Sequence, residues 1–218
     1  MLERVGPIVG SIVVVVALLL VFSGDDSEPP LDASQVEPFL EAYERSRSVE
    51  VVVESVFTRT TTEGRQLSYD QRLVQRPPDD RLVFGAGSAV GRIGGRIVRC
   101  NIDTSGEPAC VQGQRAVPYA EEVAAEVDTL AQLVAPDTGA YDVVLDEECF
   151  RLDLVVAMFS PPYGIEARFC FDDDTGVLRE VVVERPEGTD HTVAVDIRTE
   201  VTPEDLRAAD LGDPVSTG

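Results

Sequence analysis

The chain has 218 residues, 40 of them acidic and 18 basic, for a formal charge of -22 at pH 7, and every one of those cations is Arg. Such an excess of carboxylates excludes a nucleic-acid binder, which must neutralise phosphates with a basic stripe, and it excludes wide docking on an anionic lipid surface. The length suits one domain plus an anchor. A single His, no Trp and 44% apolar residues describe a folded domain with sparse catalytic chemistry.

Residues 1–4 are expected to be a cytoplasmic stub. Residues 5–22 (VGPIVGSIVVVVALLLVF) run for eighteen positions without a charge, near the lower limit for crossing a bilayer core of about 30 Å. Arg4 precedes the run and Asp25, Asp26 and Glu28 follow it, which favours a single-pass helix with the remainder outside the cytoplasm. The rival is a signal sequence cleaved after Ser23, with Val21 at the other small-residue position, and the domain is then secreted. No Cys follows the run, so a bacterial lipid-modification site is absent there. Residues 23–33 form an acidic, proline-containing tether of at most about 35–40 Å.

Residues 34–48 read as a helix, with Val36, Phe39, Leu40 and Tyr43 on one face and Ser34 with Glu37 as a capping box. Strand signals follow. Val49, Val51, Val53 and Phe57 oppose Glu50, Glu54 and Thr58, and Leu67, Tyr69 and Leu73 oppose Ser68, Asp70 and Arg72. Pro77 to Asp80 turns the chain into a strand over 81–84. Residues 85–95 are expected to be a glycine-rich bend, and strands near 96–100 and 110–114 pair after it. A helix begins at Pro118, with Tyr119, Val123, Val127, Leu130 and Val134 repeating every three or four residues. Five more strands follow, near 141–145, 150–156, 165–171, 177–185 and 191–201. The expected end is a short helix from Pro203 to Ala209 and a frayed tail over 210–218.

Four cysteines in an exported chain point to disulfides. Spacing favours Cys100 with Cys110 and Cys149 with Cys170. The second pairing sets Arg151 opposite Arg168 and Asp153 opposite Glu166, which is unfavourable unless diagonal contacts offset it. No metal is expected, since neither pair has zinc spacing and His191 stands alone. Gly85, Gly87 and Gly91 do not keep the dinucleotide-binding spacing. Asp172, Asp173 and Asp174 before Thr175-Gly176 lack a calcium-loop register and read as a hairpin turn. No nucleophile motif accompanies His191, so no enzyme and no cofactor is expected.

The order anchor, tether, helix, five strands, helix, five strands resembles the LolA/LppX/LprG-like superfamily of bacterial envelope proteins. Locally the resemblance rests on the helix-to-strand entry at Tyr43 to Ser48-Val49, on the turn Arg76-Pro77-Pro78-Asp79, and on the stretch from Cys149-Phe150 to Phe169-Cys170-Phe171-Asp172 and Thr175-Gly176. It implies an α+β domain over 34–209: a strongly curved antiparallel half-barrel of about ten strands, covered by two or three helices and enclosing an apolar cavity for acyl chains. The cavity lining would come from Val51, Val53, Phe57, Leu67, Tyr69, Leu73, Phe84, Leu152, Leu154, Phe169 and Phe171, with Val123, Val127 and Leu130 from the helix. The ligand expected is a lipid or another apolar molecule. The alternative is a sensory domain with a filled core and an envelope protein as partner.

Overall fold

Eleven strands form one antiparallel sheet in the order β6-β5-β4-β3-β2-β1-β11-β10-β9-β8-β7. The protein is seen here in a computed structural model, which describes residues 35–102 and 108–206. The first meander is β1 (Val51–Thr61), β2 (Gln66–Arg76), β3 (Asp80–Gly85), β4 (Ser88–Ile93), β5 (Arg96–Ile102) and β6 (Pro108–Arg115). The second is β7 (Tyr141–Asp146), β8 (Cys149–Leu154), β9 (Glu166–Phe171), β10 (Leu178–Arg185) and β11 (Gly188–Arg198). The two join where β1 pairs with β11, so the chain's first and last strands lie side by side at the centre of the sheet. The sheet is open, curved and antiparallel throughout, with a few helices. Residues 1–34 and 207–218 lie outside the described residues, and with them the expected anchor, the tether, the Ser34 cap and the tail. Among the described residues no helix is long and apolar enough to cross a membrane.

Helix α1 (Val36–Ser48) and helix α2 (Tyr119–Leu133) lie on one side of the sheet, and α3 (Pro203–Leu206) on the other. Period-two alternation decides what each side receives. On the α1/α2 side, Phe39 is fully buried against the rings of Phe150 and Phe169, with centroids 5.4 and 5.5 Å away. Leu130, Val134, Tyr141, Val143, Leu152 and Ala167 complete that cluster. Beside it Val51, Val53 and Val177 are buried, with Leu73 packed on them. On the other side Val52 and Val74 take Val201 and Leu206, and Leu82, Ala89 and Val98 surround Cys100 and Cys110.

Three expectations are corrected. The glycine-rich bend over 85–95 contains strand β4, paired on both sides. It turns from β3 through Ala86 and Gly87, both at positive φ (49° and 77°), the backbone that a tight hairpin needs. The strand count is therefore eleven rather than ten. Second, β8 ends at Leu154, and residues 155–165 make a loop on which Val155, Val156, Met158 and Phe159 are exposed. Third, Phe84 pairs with Arg72 and Ala89 and so faces away from α1 and α2, packing with Val52, Val74 and Leu82 instead.

Both expected disulfides are present, between directly opposed residues of β5–β6 and of β8–β9. Arg151 does face Arg168 and Asp153 does face Glu166. The relief is not diagonal across that pair: Arg151 bonds Asp153 two residues along its own strand at 3.0 Å, and Arg168 reaches Glu180 on β10 at 3.5 Å.

Candidate ligand-binding site

Directly opposed residues in an antiparallel sheet share a face, so the register can be followed across strands. On the α1/α2 side one lateral row runs Ile197, Val53, Leu73, Val83, Val90, Arg99 and Val111. Two residues further along the strands, about 7 Å away, a second row runs Val51, Gln75, Arg81, Arg92 and Ile97. On the other flank Phe57 meets Tyr69, with ring centroids 4.9 Å apart.

The helices cover the second row. Gln75 is fully buried, and its amide donates to the carbonyls of Ser46 and Val49 at 2.9 Å each, tying the end of α1 to β2. The Tyr119 hydroxyl donates to the Arg47 carbonyl at 2.7 Å and meets Gln75 Oε1 at 3.2 Å, so the start of α2 is held at the same point. Arg47 bonds Glu126 at 2.8 and 3.0 Å, and Arg92 pairs with Glu122 at 3.0 Å. The guanidiniums of Arg47 and Arg92 stand 5.7 and 5.3 Å from the Tyr119 ring centroid, within cation–π range. Burial and the neighbouring Glu126 carboxylate raise the Tyr43 phenol to about 12, and burial raises the phenol of Tyr163 as well. The Tyr43 hydroxyl therefore keeps its proton and donates it to Glu126 Oε2 at 3.2 Å.

The first row is covered only near β1. Val53 is buried, whereas Val90 is 51% and Val111 54% exposed, and Leu67 beyond Tyr69 is 58% exposed. An apolar band thus leaves the shelter of the helices and runs out over β3 to β6. Two cavities flank α2. One of about 560 Å³ is lined by Tyr43, Tyr163, Ala125, Thr129, Val117 and the carboxylates of Glu121, Glu122 and Glu126. The other, about 240 Å³, shares Val117 and Glu122 and is otherwise lined by Arg81, Arg92, Arg115, Gly91, Ile97, Gln114 and Ala116.

The expected lining residues are therefore divided among four environments. Leu130, Leu152 and Phe169 sit within the packed Phe39 cluster, with Leu154 and Phe171 against it. Val51, Val53 and Leu73 form the neighbouring cluster, and on α2 Val123 is buried and Val127, one turn on, is half-buried. Phe57, Leu67 and Tyr69 lie on the same side beyond the helices, and Phe84 lies on the opposite one. Val83, Val90 and Val111, which extend the band, were not singled out by the sequence because β4 was hidden in its glycines. The arginine-lined cavity was missed because Arg81, Arg92 and Arg115 are distant in sequence. Among the described residues no three His, Cys, Asp or Glu side chains converge as a metal site requires. At the Asp172 turn the carboxylate accepts from the Thr175 N–H (2.9 Å) and hydroxyl (2.7 Å), and these bonds hold it below the usual carboxylate range.

No family model matches the chain, and no curated protein matches it. Solved structures do. A LolA superfamily protein from Nitrosomonas europaea overlaps 78% of this chain and 96% of its own, at 9% identity and a TM-score of 0.34. LprF from Mycobacterium bovis overlaps 80% of this chain and 98% of its own, at 11% identity and 0.34. MucB, in complex with MucA(peri), overlaps 84% of this chain and 60% of its own, at 15% identity and 0.41.

Proposed function

We propose that this is an extracytoplasmic, non-enzymatic binding protein that holds a lipid or another apolar ligand along the α1/α2 side of its sheet. The observation that carries the reading is the apolar band itself: Val53, Leu73, Val83 and Val90 in register, with Val111 beyond Arg99, half uncovered and flanked by the Phe57–Tyr69 pair. Removing that band from water favours binding by roughly 25 cal/mol per Å² before ordering costs. Location outside the cytoplasm is supported by two disulfides. Residues 5–22 would hold the domain at the membrane, or be removed as a signal sequence to release it.

A second reading, a sensory domain with a protein partner, is favoured by the Phe39 cluster, which side chains from both helices fill. One experiment separates the two. Full-length protein purified from an envelope fraction is examined by native mass spectrometry and its solvent extract analysed for lipid. Under the first reading an apolar molecule co-purifies, and Val90→Glu or Leu67→Glu abolishes it without moving the thermal midpoint by more than a few degrees. Protein that emerges ligand-free, and stays so after incubation with phospholipid or fatty-acid vesicles, sinks the first reading and leaves the second.

A further inference from the structure

The 240 Å³ cavity under the start of α2 carries the wrong charge for the molecule around it. In a chain of net charge -22, its ionisable lining is Arg81, Arg92 and Arg115 against the single carboxylate Glu122. Arg92 and Arg47 share Glu122, and Arg47 also takes Glu126. Both nearby carboxylates are thus engaged. Arg81 is opposed directly by Arg92 across β3 and β4, an unfavourable like-charge pair. Its Nε is buried without a hydrogen-bond partner, and no carboxylate lies within ion-pair distance of it among the described residues. Burial, with repulsion from Arg47, pushes the guanidinium below its ordinary value. It remains charged even so, because arginine starts so high.

An uncompensated, largely buried cation in a wall of a cavity is what an incoming anion would satisfy. We propose that this cavity is an oxyanion site, in which the Arg81 guanidinium takes a carboxylate or phosphate group, assisted by Arg115 from the exposed side. The planar fork of Arg suits both groups through paired N–H donors. The cavity's volume fits such a group with a short organic stem and no more. The row that holds Arg81 and Arg92 lies one pleat repeat from the apolar band, about 7 Å. An amphiphile whose head sits at Arg81 can therefore lay its tail along Val83 and Val90. The same chemistry is offered by a free anion, and the site does not depend on the apolar-ligand reading.

The test uses the full chain in a chloride buffer free of oxyanions. Inorganic phosphate is titrated calorimetrically, followed by dihexanoyl phosphatidate and dihexanoyl phosphatidylcholine below their micelle concentrations. Saturable one-to-one phosphate binding is expected. Arg81→Gln should weaken it by at least about tenfold, and Arg115→Gln by a smaller factor. Arg65→Gln, at the far tip of the β1–β2 hairpin, should leave it unchanged. Without oxyanion the thermal midpoint of Arg81→Gln should equal or exceed that of the parent, because an unpaired cation has been removed, so lost binding is not lost fold. Phosphatidate binding at least tenfold tighter than phosphate identifies an amphiphile headgroup, and equal binding identifies a free anion. Absence of saturable phosphate binding, or an unchanged affinity in both Arg81→Gln and Arg115→Gln, overturns the proposal. Phosphate has no apolar part, so its result stands whether or not a lipid co-purifies.

Discussion

Asp205 shows how much one carboxylate can organise. It is 7% exposed and accepts from Arg198 at 2.8 Å, from Arg72 on β2, and from the Thr202 N–H and hydroxyl at 2.8 Å each. These bonds pin α3 over Val52 and Val74 and hold the carboxyl well below the usual carboxylate range, the Arg198 hydrogen bond foremost. Asp205→Asn keeps the shape but removes the counter-charge of two guanidiniums, and its NH2 meets donors where the carboxylate offered an acceptor. The expected loss is about 2–3 kcal/mol at pH 7. The sign of the pH dependence follows from the depressed value. The stabilisation is complete above the unfolded carboxylate value near ~4 and fades as pH falls through the lower folded value. Urea midpoints of parent and variant should therefore differ most at neutral pH and converge as the solution is acidified below ~4. A gap that is unchanged at pH 3 would contradict this account.

Among the elements, β4 depends most on a single position. A Cβ at Gly91 would stand 1.9 Å from the Arg81 carbonyl oxygen, so β3 and β4 approach closely only because that side chain is missing. Gly91→Ala should lower stability by about 2–4 kcal/mol. It should also open the β3–β4 ladder locally, read as faster hydrogen exchange at Val90 to Arg92 than at Val51 to Val53. The same position explains what the sequence hid. Helix faces such as Tyr119, Val123 and Leu130, and alternating strands such as Phe150, Leu152 and Leu154, are legible because their periods are unbroken. In β4 the alternation Ala89, Gly91, Ile93 is carried by two small residues and so has no hydrophobic signal. Losing β4 also loses the parity of β3, which is why Phe84 was expected among Leu73 and Val53 although the register turns it the other way. The cysteine pairs were legible because each joins residues of adjacent strands. The Arg81 cavity was not, because only the finished sheet brings β3, β4, β6 and the start of α2 together.

At the scale of the whole molecule, the sheet closes on non-local contacts. β1 and β11 pair along ten positions although they are separated by nearly the whole domain, so pairing them costs the closure entropy of a long loop and local elements cannot secure the fold alone. The charge of -22 acts on that ladder as a distributed repulsion. Two effects of added salt compete. Exposed pairs such as Arg65–Glu63, 78% and 70% exposed, weaken, but each is worth only about 0–1 kcal/mol. Repulsion among surplus carboxylates acts over longer distances and is screened once the Debye length falls below about 10 Å. Contacts such as Arg47–Glu126, with Arg47 6% exposed, are screened least. The balance favours stabilisation. The thermal midpoint should rise by a few degrees between about 0.02 M and 0.5 M chloride salts, equally for sodium and potassium because screening ignores the cation's identity. A midpoint that falls with salt would mean that the surface ion pairs outweigh the net charge. In that case variants at Arg59 and Asp190, whose paired side chains join β1 to β11, should reduce the fall.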